Sequence, residues 1–140
     1  MKKTFLSAAS VVAALALPGL PAMAQTNEII TVGISITTTG PAAALGIPER
    51  NSLDFVPKEI GGVPIKIIVL DDGGDPTAAT TNARRFVTES KADIIMGSST
   101  TPPTVAVSTV ANEAGIPHFG LAPFPINEAR MKSMLAAPWV

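Results

Sequence analysis

Four short apolar runs, each separated from the next by a turn and a segment of helical periodicity, restrict this chain to one architecture. The runs are residues 29–36 (IITVGISI), 65–70 (IKIIVL), 94–96 (IIM) and 116–121 (IPHFGL). Strands buried on both faces of a parallel sheet read as near-continuous apolar stretches of this kind, rich in β-branched residues. Between the second and third runs, Ala79, Ala83, Phe86 and Val87 recur at helical spacing over residues 77–90, with Arg84 and Arg85 on the opposite, solvated side. After the third run, Val107, Val110, Ala111 and Ala114 do the same. The order β-α-β-α-β-α-β predicts an α/β fold. Right-handed crossovers then wind it into a doubly wound, flavodoxin-like parallel sheet in the spatial order 2-1-3-4.

The punctuation agrees with that alternation. Asp75 followed by Pro76 is a cap and first residue for the middle helix, and Thr101 followed by Pro102 plays the same part for the next. In the first helix, Pro48 is predicted at the first position and Glu49 in the first turn, where the helix dipole favours a carboxylate. Leu53, Val56 and Ile60 then line one face, Pro57 forces a kink or an early end, and Gly61-Gly62 is a stop. Residues 127–135 are read as a further helix, and residues 138–140 as the start of another strand.

The reversal in strand order falls between the first and third strands. Residues 37–46 and 97–101, at their carboxyl ends, are the two most hydroxyl-rich turns in the chain. Open α/β sheets bind ligands in the crevice at such a switch point, where helix N-termini favour an anion. A small carboxylate suits that edge.

Other chemistries find less support. Without cysteine there is neither a disulfide framework nor a thiolate metal site. There is no basic stripe and few aromatic residues, so nucleic acid is not an expected partner. Asp71, Asp72 and Asp75 flank two glycines but miss the spacing of a calcium loop, and no metal or cofactor is implied. The sequence GSSTTPPT lacks the lysine of a nucleotide-binding P-loop. An exported hydrolase using a serine of the 97–101 turn would need a base. The single histidine, His118, is read as structural, near a strand end with no nucleophile motif around it.

Residues 1–24 are set apart. Lys2 and Lys3, an apolar stretch over residues 5–17, and the small-residue pattern Ala22-Met23-Ala24 describe a secretory signal peptide cleaved after Ala24. Residues 25–140 are then an exported, periplasmic domain.

Five segments carry a resemblance: TTTGPAAALGIPERN, the IGG that follows, VLDDGGDPTAATTNARRFV, DIIMGSSTTPPTVAV and ANEAGIPHFGLAP. In this order they resemble the periplasmic solute-binding proteins of ABC transporters, in the branched-chain amino-acid (leucine/isoleucine/valine) binding class, from residue 29 to about residue 125. The resemblance implies a type I periplasmic binding fold of two lobes that close on a small ligand and dock on a permease in the inner membrane, with no catalysis. It implies that Ser98, Ser99 and Thr100, with Ala122 and Phe124 after the fourth strand, grip the ligand, and that Leu45 in the 40–46 segment covers it. Leu45 stands where many relatives have an aromatic residue, and Phe124 where a hydroxyl is usual. The same fold also serves ligand-sensing receptor ectodomains. Members of this class carry a hinge and a second lobe, so the sequence is read as the N-terminal part of the first lobe, a fragment or a truncated gene product.

Overall fold

The computed structural model describes residues 28–124. The signal peptide expected over residues 1–24, the helix expected over 127–135 and the strand start expected at 138–140 lie outside the described residues. In chain order the elements are β1 (Ile30–Ile36), α1 (Ala43–Ser52), a 3-10 turn (Leu53–Phe55), β2 (Glu59–Ile60), β3 (Val63–Asp71), α2 (Pro76–Thr88), β4 (Ile94–Gly97), α3 (Thr101–Ala114) and β5 (His118–Phe119).

The sheet order is β2-β3-β1-β4-β5. β1 runs parallel to both β3 and β4, and β4 parallel to β5, which is the predicted 2-1-3-4 arrangement of the four apolar runs. The sheet is mixed because of one addition: β2 pairs antiparallel with β3 across Gly61-Gly62. Both glycines have positive φ, 59° and 82°, as a two-residue hairpin turn matched to strand twist requires. The pair therefore turns a hairpin and does not end a helix.

One face of the sheet is closed by α2 and α3. Ala79, Ala83 and Phe86 of α2 meet Val107, Val110 and Ala111 of α3 over Ile95, all buried. Gly33 makes room for the Phe86 ring, since a Cβ there would sit 2.5 Å from it. Burying that ring completely contributes about 1.5–3 kcal/mol. Asp75 caps α2 as expected, its side chain accepting from the Ala78 N–H at 2.7 Å with Pro76 at the start of the helix. For α3 the cap is Thr100, one residue earlier than predicted, so Pro102 is the second helical residue; Ala114 is exposed and does not share the inner face.

The first helix departs most from expectation. It begins at Ala43, with Pro48 inside it, because the Ala42-Ala43-Ala44-Leu45 run favours helix without needing a side-chain cap. It ends at Ser52, and Val56 turns extended, as a residue before proline is pushed to do. Leu53, Val56 and Ile60 consequently share no helical face, and Val56 and Ile60 are exposed. The fourth strand is also shorter than read: only His118 and Phe119 pair with β4.

Candidate functional site

At the carboxyl ends of β1, β3 and β4 the chain gathers hydroxyls around one buried carboxylate. Asp72 is 3% exposed. Its Oδ2 accepts from the hydroxyls of Ser35 and Ser98, each at 2.7 Å. Its Oδ1 accepts from the Thr37 hydroxyl at 2.7 Å and from the Gly74 N–H at 3.0 Å. Asn82 of α2 reaches the same cluster, donating to Ser35 Oγ at 3.3 Å and to the Asp71 carbonyl at 3.0 Å. A buried polar group is costly unless it is hydrogen-bonded, and here every member has a partner. Asp72 thus ties the ends of three strands together beneath the switch point.

A second carboxylate shapes the rim. Asp71 is exposed and receives the N–H groups of Thr38 at 2.8 Å and Gly73 at 3.0 Å, together with the Thr39 hydroxyl. Its slight burial pushes its pKa up, but the bonds from Thr39, Gly73 and Thr38 outweigh that and bring it down to about 2. It fixes the turn after β1, the segment expected to cover a ligand.

Glu49, half-buried on α1, is the third. It accepts from the Ser99 hydroxyl, which in turn accepts from the Thr37 N–H at 3.0 Å. Burial pushes the Glu49 pKa up, the bond from Ser99 pulls it back, and the charge of Asp72 pushes it up again. α1 comes this close because Gly46 rests on the Thr37 carbonyl, where a Cβ would stand 1.9 Å away.

The sequence-predicted site residues fall into two groups. Ser98 and Ser99 are buried, and their hydroxyls point inward to Asp72 and Glu49. Thr100, Ala122 and Phe124 are partly exposed, and Leu45 is exposed on α1. The Thr100 side chain makes no capping bond at the N-terminus of α3. The Thr101 hydroxyl donates to the Pro123 carbonyl at 2.7 Å, which draws the loop after β5 against that helix start. Phe124 packs on His118, ring centroids 5.9 Å apart, and leans into the space a side chain at Gly120 would take. His118 is fully buried, its Nε2–H donating to the Gly97 carbonyl at 2.7 Å. Burial pushes its pKa down and that bond opposes the shift, so the ring is neutral at neutral pH.

Asp72, Glu49 and Asp71 were not singled out by the sequence as site residues. A signal for Asp72 did exist: Ser35 and Ser98 sit in or beside apolar strands, and buried hydroxyls demand an acceptor.

Fold and site together define a mostly parallel α/β sheet whose strand order reverses at β1, with buried hydroxyls gathered on Asp72 at the carboxyl ends of β1, β3 and β4. The chain belongs to the periplasmic binding protein family, whose sequence profile matches residues 29–139. It is 36% identical over 115 residues to the Leu/Ile/Val-binding protein homologue 7 of Brucella abortus (strain 2308), an alignment covering 79% of this chain and 28% of that protein. A solved structure from Rhodopseudomonas palustris (strain CGA009) shares 76% sequence identity at a TM-score of 0.76, covering 79% of this chain and 31% of that one. An extracellular ligand-binding receptor from Rhodopseudomonas palustris HaA2 shares 78% at 0.75, covering 76% and 30%. The chain therefore spans less than a third of the length of these relatives. Members of the family are substrate-binding proteins, normally periplasmic or exported.

Proposed function

We propose that this chain forms the first-lobe wall of the ligand cleft in the substrate-binding component of an ABC importer. It captures a small carboxylate, such as an amino acid, in the periplasm and presents it to a permease in the inner membrane. It is made with a signal peptide cleaved after Ala24, and it is not an enzyme. The observation that carries the reading is the partly exposed Thr100 hydroxyl at the N-terminus of α3, which makes no cap bond and follows a turn held to Asp72 through Ser98. Helix N-termini attract anions, and a free hydroxyl there supplies a directed donor. The likeness to a Leu/Ile/Val-binding protein homologue supports the same class of ligand. A hydrolase is not favoured, since the Ser98 and Ser99 hydroxyls are bonded to carboxylates and His118 to a backbone carbonyl.

In this reading the ligand carboxylate takes its hydrogen bond from Thr100, while Ser98 and Ser99 hold the turn. In a version of the chain completed with the second lobe that the resemblance implies, Thr100→Val is expected to weaken binding of a small carboxylate roughly ten- to a hundredfold, the value of a hydrogen bond to a charged group. Thermal stability should stay near that of the parent, because the Thr100 side chain makes no cap bond to lose. Calorimetric titration against a panel of small carboxylates measures this. An unchanged affinity would remove Thr100 from the site.

A further inference from the structure

The hydroxyl of Thr104, in the first turn of α3, holds the β4–α3 turn from within, and Thr104 is fully buried. Its oxygen accepts the Ser98 N–H at 2.9 Å. It donates in turn to the carbonyls of Ser98 and Thr100, each at 2.8 Å, a sharing of one hydrogen that is common at helix ends. The Thr104 N–H donates to the same Thr100 carbonyl at 3.1 Å. We propose that Thr104 is a positioning residue of the carboxylate site, aiming the Thr101 N–H through the peptide that it shares with the Thr100 carbonyl. The inference rests on the carboxylate reading above and adds the residue that orients its backbone donor.

Peptide geometry links the two groups. The Thr100 carbonyl and the Thr101 N–H belong to one planar trans unit, so they point in opposite directions. Two donors from Thr104 draw that carbonyl along α3, which turns the Thr101 N–H out of the helix start. Donors there are few. Pro102 and Pro103 have no N–H, so the first four residues of α3 keep only those of Thr101 and Thr104. The Thr104 N–H is spent on Thr100, so an anion at this helix start depends on the Thr101 N–H and the Thr100 hydroxyl. A threonine hydroxyl bonded to the carbonyl four residues back is ordinary in a helix, and the exposed Thr81, Thr88 and Thr109 all make that bond. Thr104 differs in being fully buried and in holding both backbone groups of Ser98, which lies outside the helix.

The test uses this chain completed with the second lobe expected for its family, with L-leucine and 4-methylpentanoate as probes. Thr104→Val keeps the branched shape and removes the hydroxyl, whereas Thr104→Ser keeps the hydroxyl and removes the methyl beside Gly120. Calorimetry is run well below each protein's melting temperature, with whichever probe the parent binds. Thr104→Val should bind it about tenfold or more weakly, and Thr104→Ser within about threefold of the parent. Phe86→Leu, a core change on α2, should lower the melting temperature yet bind within about threefold, which separates aiming from stability. Amide hydrogen exchange on the parent needs no variant and decides the matter if Thr104→Val does not fold. Adding the bound probe should slow exchange at Thr101 by about tenfold or more, and change Ser98, already bonded to Thr104, by less. The positioning role is overturned if Thr104→Val binds like the parent, or if Thr104→Ser or Phe86→Leu loses as much affinity as Thr104→Val. Exchange at Thr101 that does not slow overturns it as well, and in each of these cases the carboxylate reading stands. If neither probe binds the parent, the carboxylate reading falls and this inference falls with it.

Discussion

Asp72→Ala is expected to destabilise the fold by at least about 3 kcal/mol and to remove ligand binding with it. The substitution leaves the hydroxyls of Ser35, Thr37 and Ser98 and the Gly74 N–H without their acceptor in a buried place. Each unsatisfied buried donor costs about 1–3 kcal/mol, and some of that is recovered where hydroxyls turn to one another or admit water. In the proposed reading the strand ends of β1 and β4 wall the ligand cleft, so loosening them also disperses the donors proposed for the ligand. Asp75→Ala is the natural comparison, because it removes a carboxylate from the same acidic segment that serves only as an exposed helix cap. A cap of that kind is worth about 0.5–2 kcal/mol. Urea denaturation of the two variants side by side measures the difference. Equal, small losses would mean that Asp72 does not organise the switch point.

Gly46→Ala is the second substitution with a large expected effect, and there the two available arguments have opposite signs. By helix propensity alone, alanine in place of an interior glycine stabilises by roughly 0.5–1 kcal/mol. By packing, the new methyl would lie 1.9 Å from the Thr37 carbonyl oxygen and 2.4 Å from its carbon. These are backbone atoms of a residue that Asp72 and Ser99 both hold, so they cannot give way cheaply. α1 must instead lift off the end of β1, taking Glu49 away from Ser99. Overpacking of this severity costs about 1–3 kcal/mol and occasionally more, which outweighs the propensity gain. Gly46→Ala should therefore lower the melting temperature, and a variant that melts higher than the parent would contradict the close contact on which the crevice geometry depends.

Much of this was legible because the chain signals its parallel core with short apolar runs and proline-led helices. β1, β3, β4, α2 and α3 follow from those runs, and so does the place where strand order reverses. What stayed hidden depended on tertiary partners. Gly61-Gly62 sits between Ile60 and Val63, a hairpin signature, yet after a helical pattern it reads equally as a stop. Pro48 looked like a helix start because nothing local reveals that Gly46 can rest on Thr37 and carry the helix further back. That shift moved Glu49 out of the first turn and onto Ser99. The acidic cluster shows the same limit. Asp75 is legible because capping is a local interaction, whereas Asp72 takes its role from Ser35 and Ser98, far apart in the sequence.

The central claim is that a ligand carboxylate is held at the β4–α3 turn. A crystal structure of this chain joined to the second lobe expected for its family, with a small carboxylate bound, tests it most directly. The carboxylate should lie within about 2.7–3.2 Å of the Thr100 hydroxyl oxygen or the Thr101 backbone nitrogen at the start of α3, with Ser98 and Ser99 still bonded to Asp72 and Glu49. A ligand seated elsewhere, with Thr100 facing only water, would contradict the account.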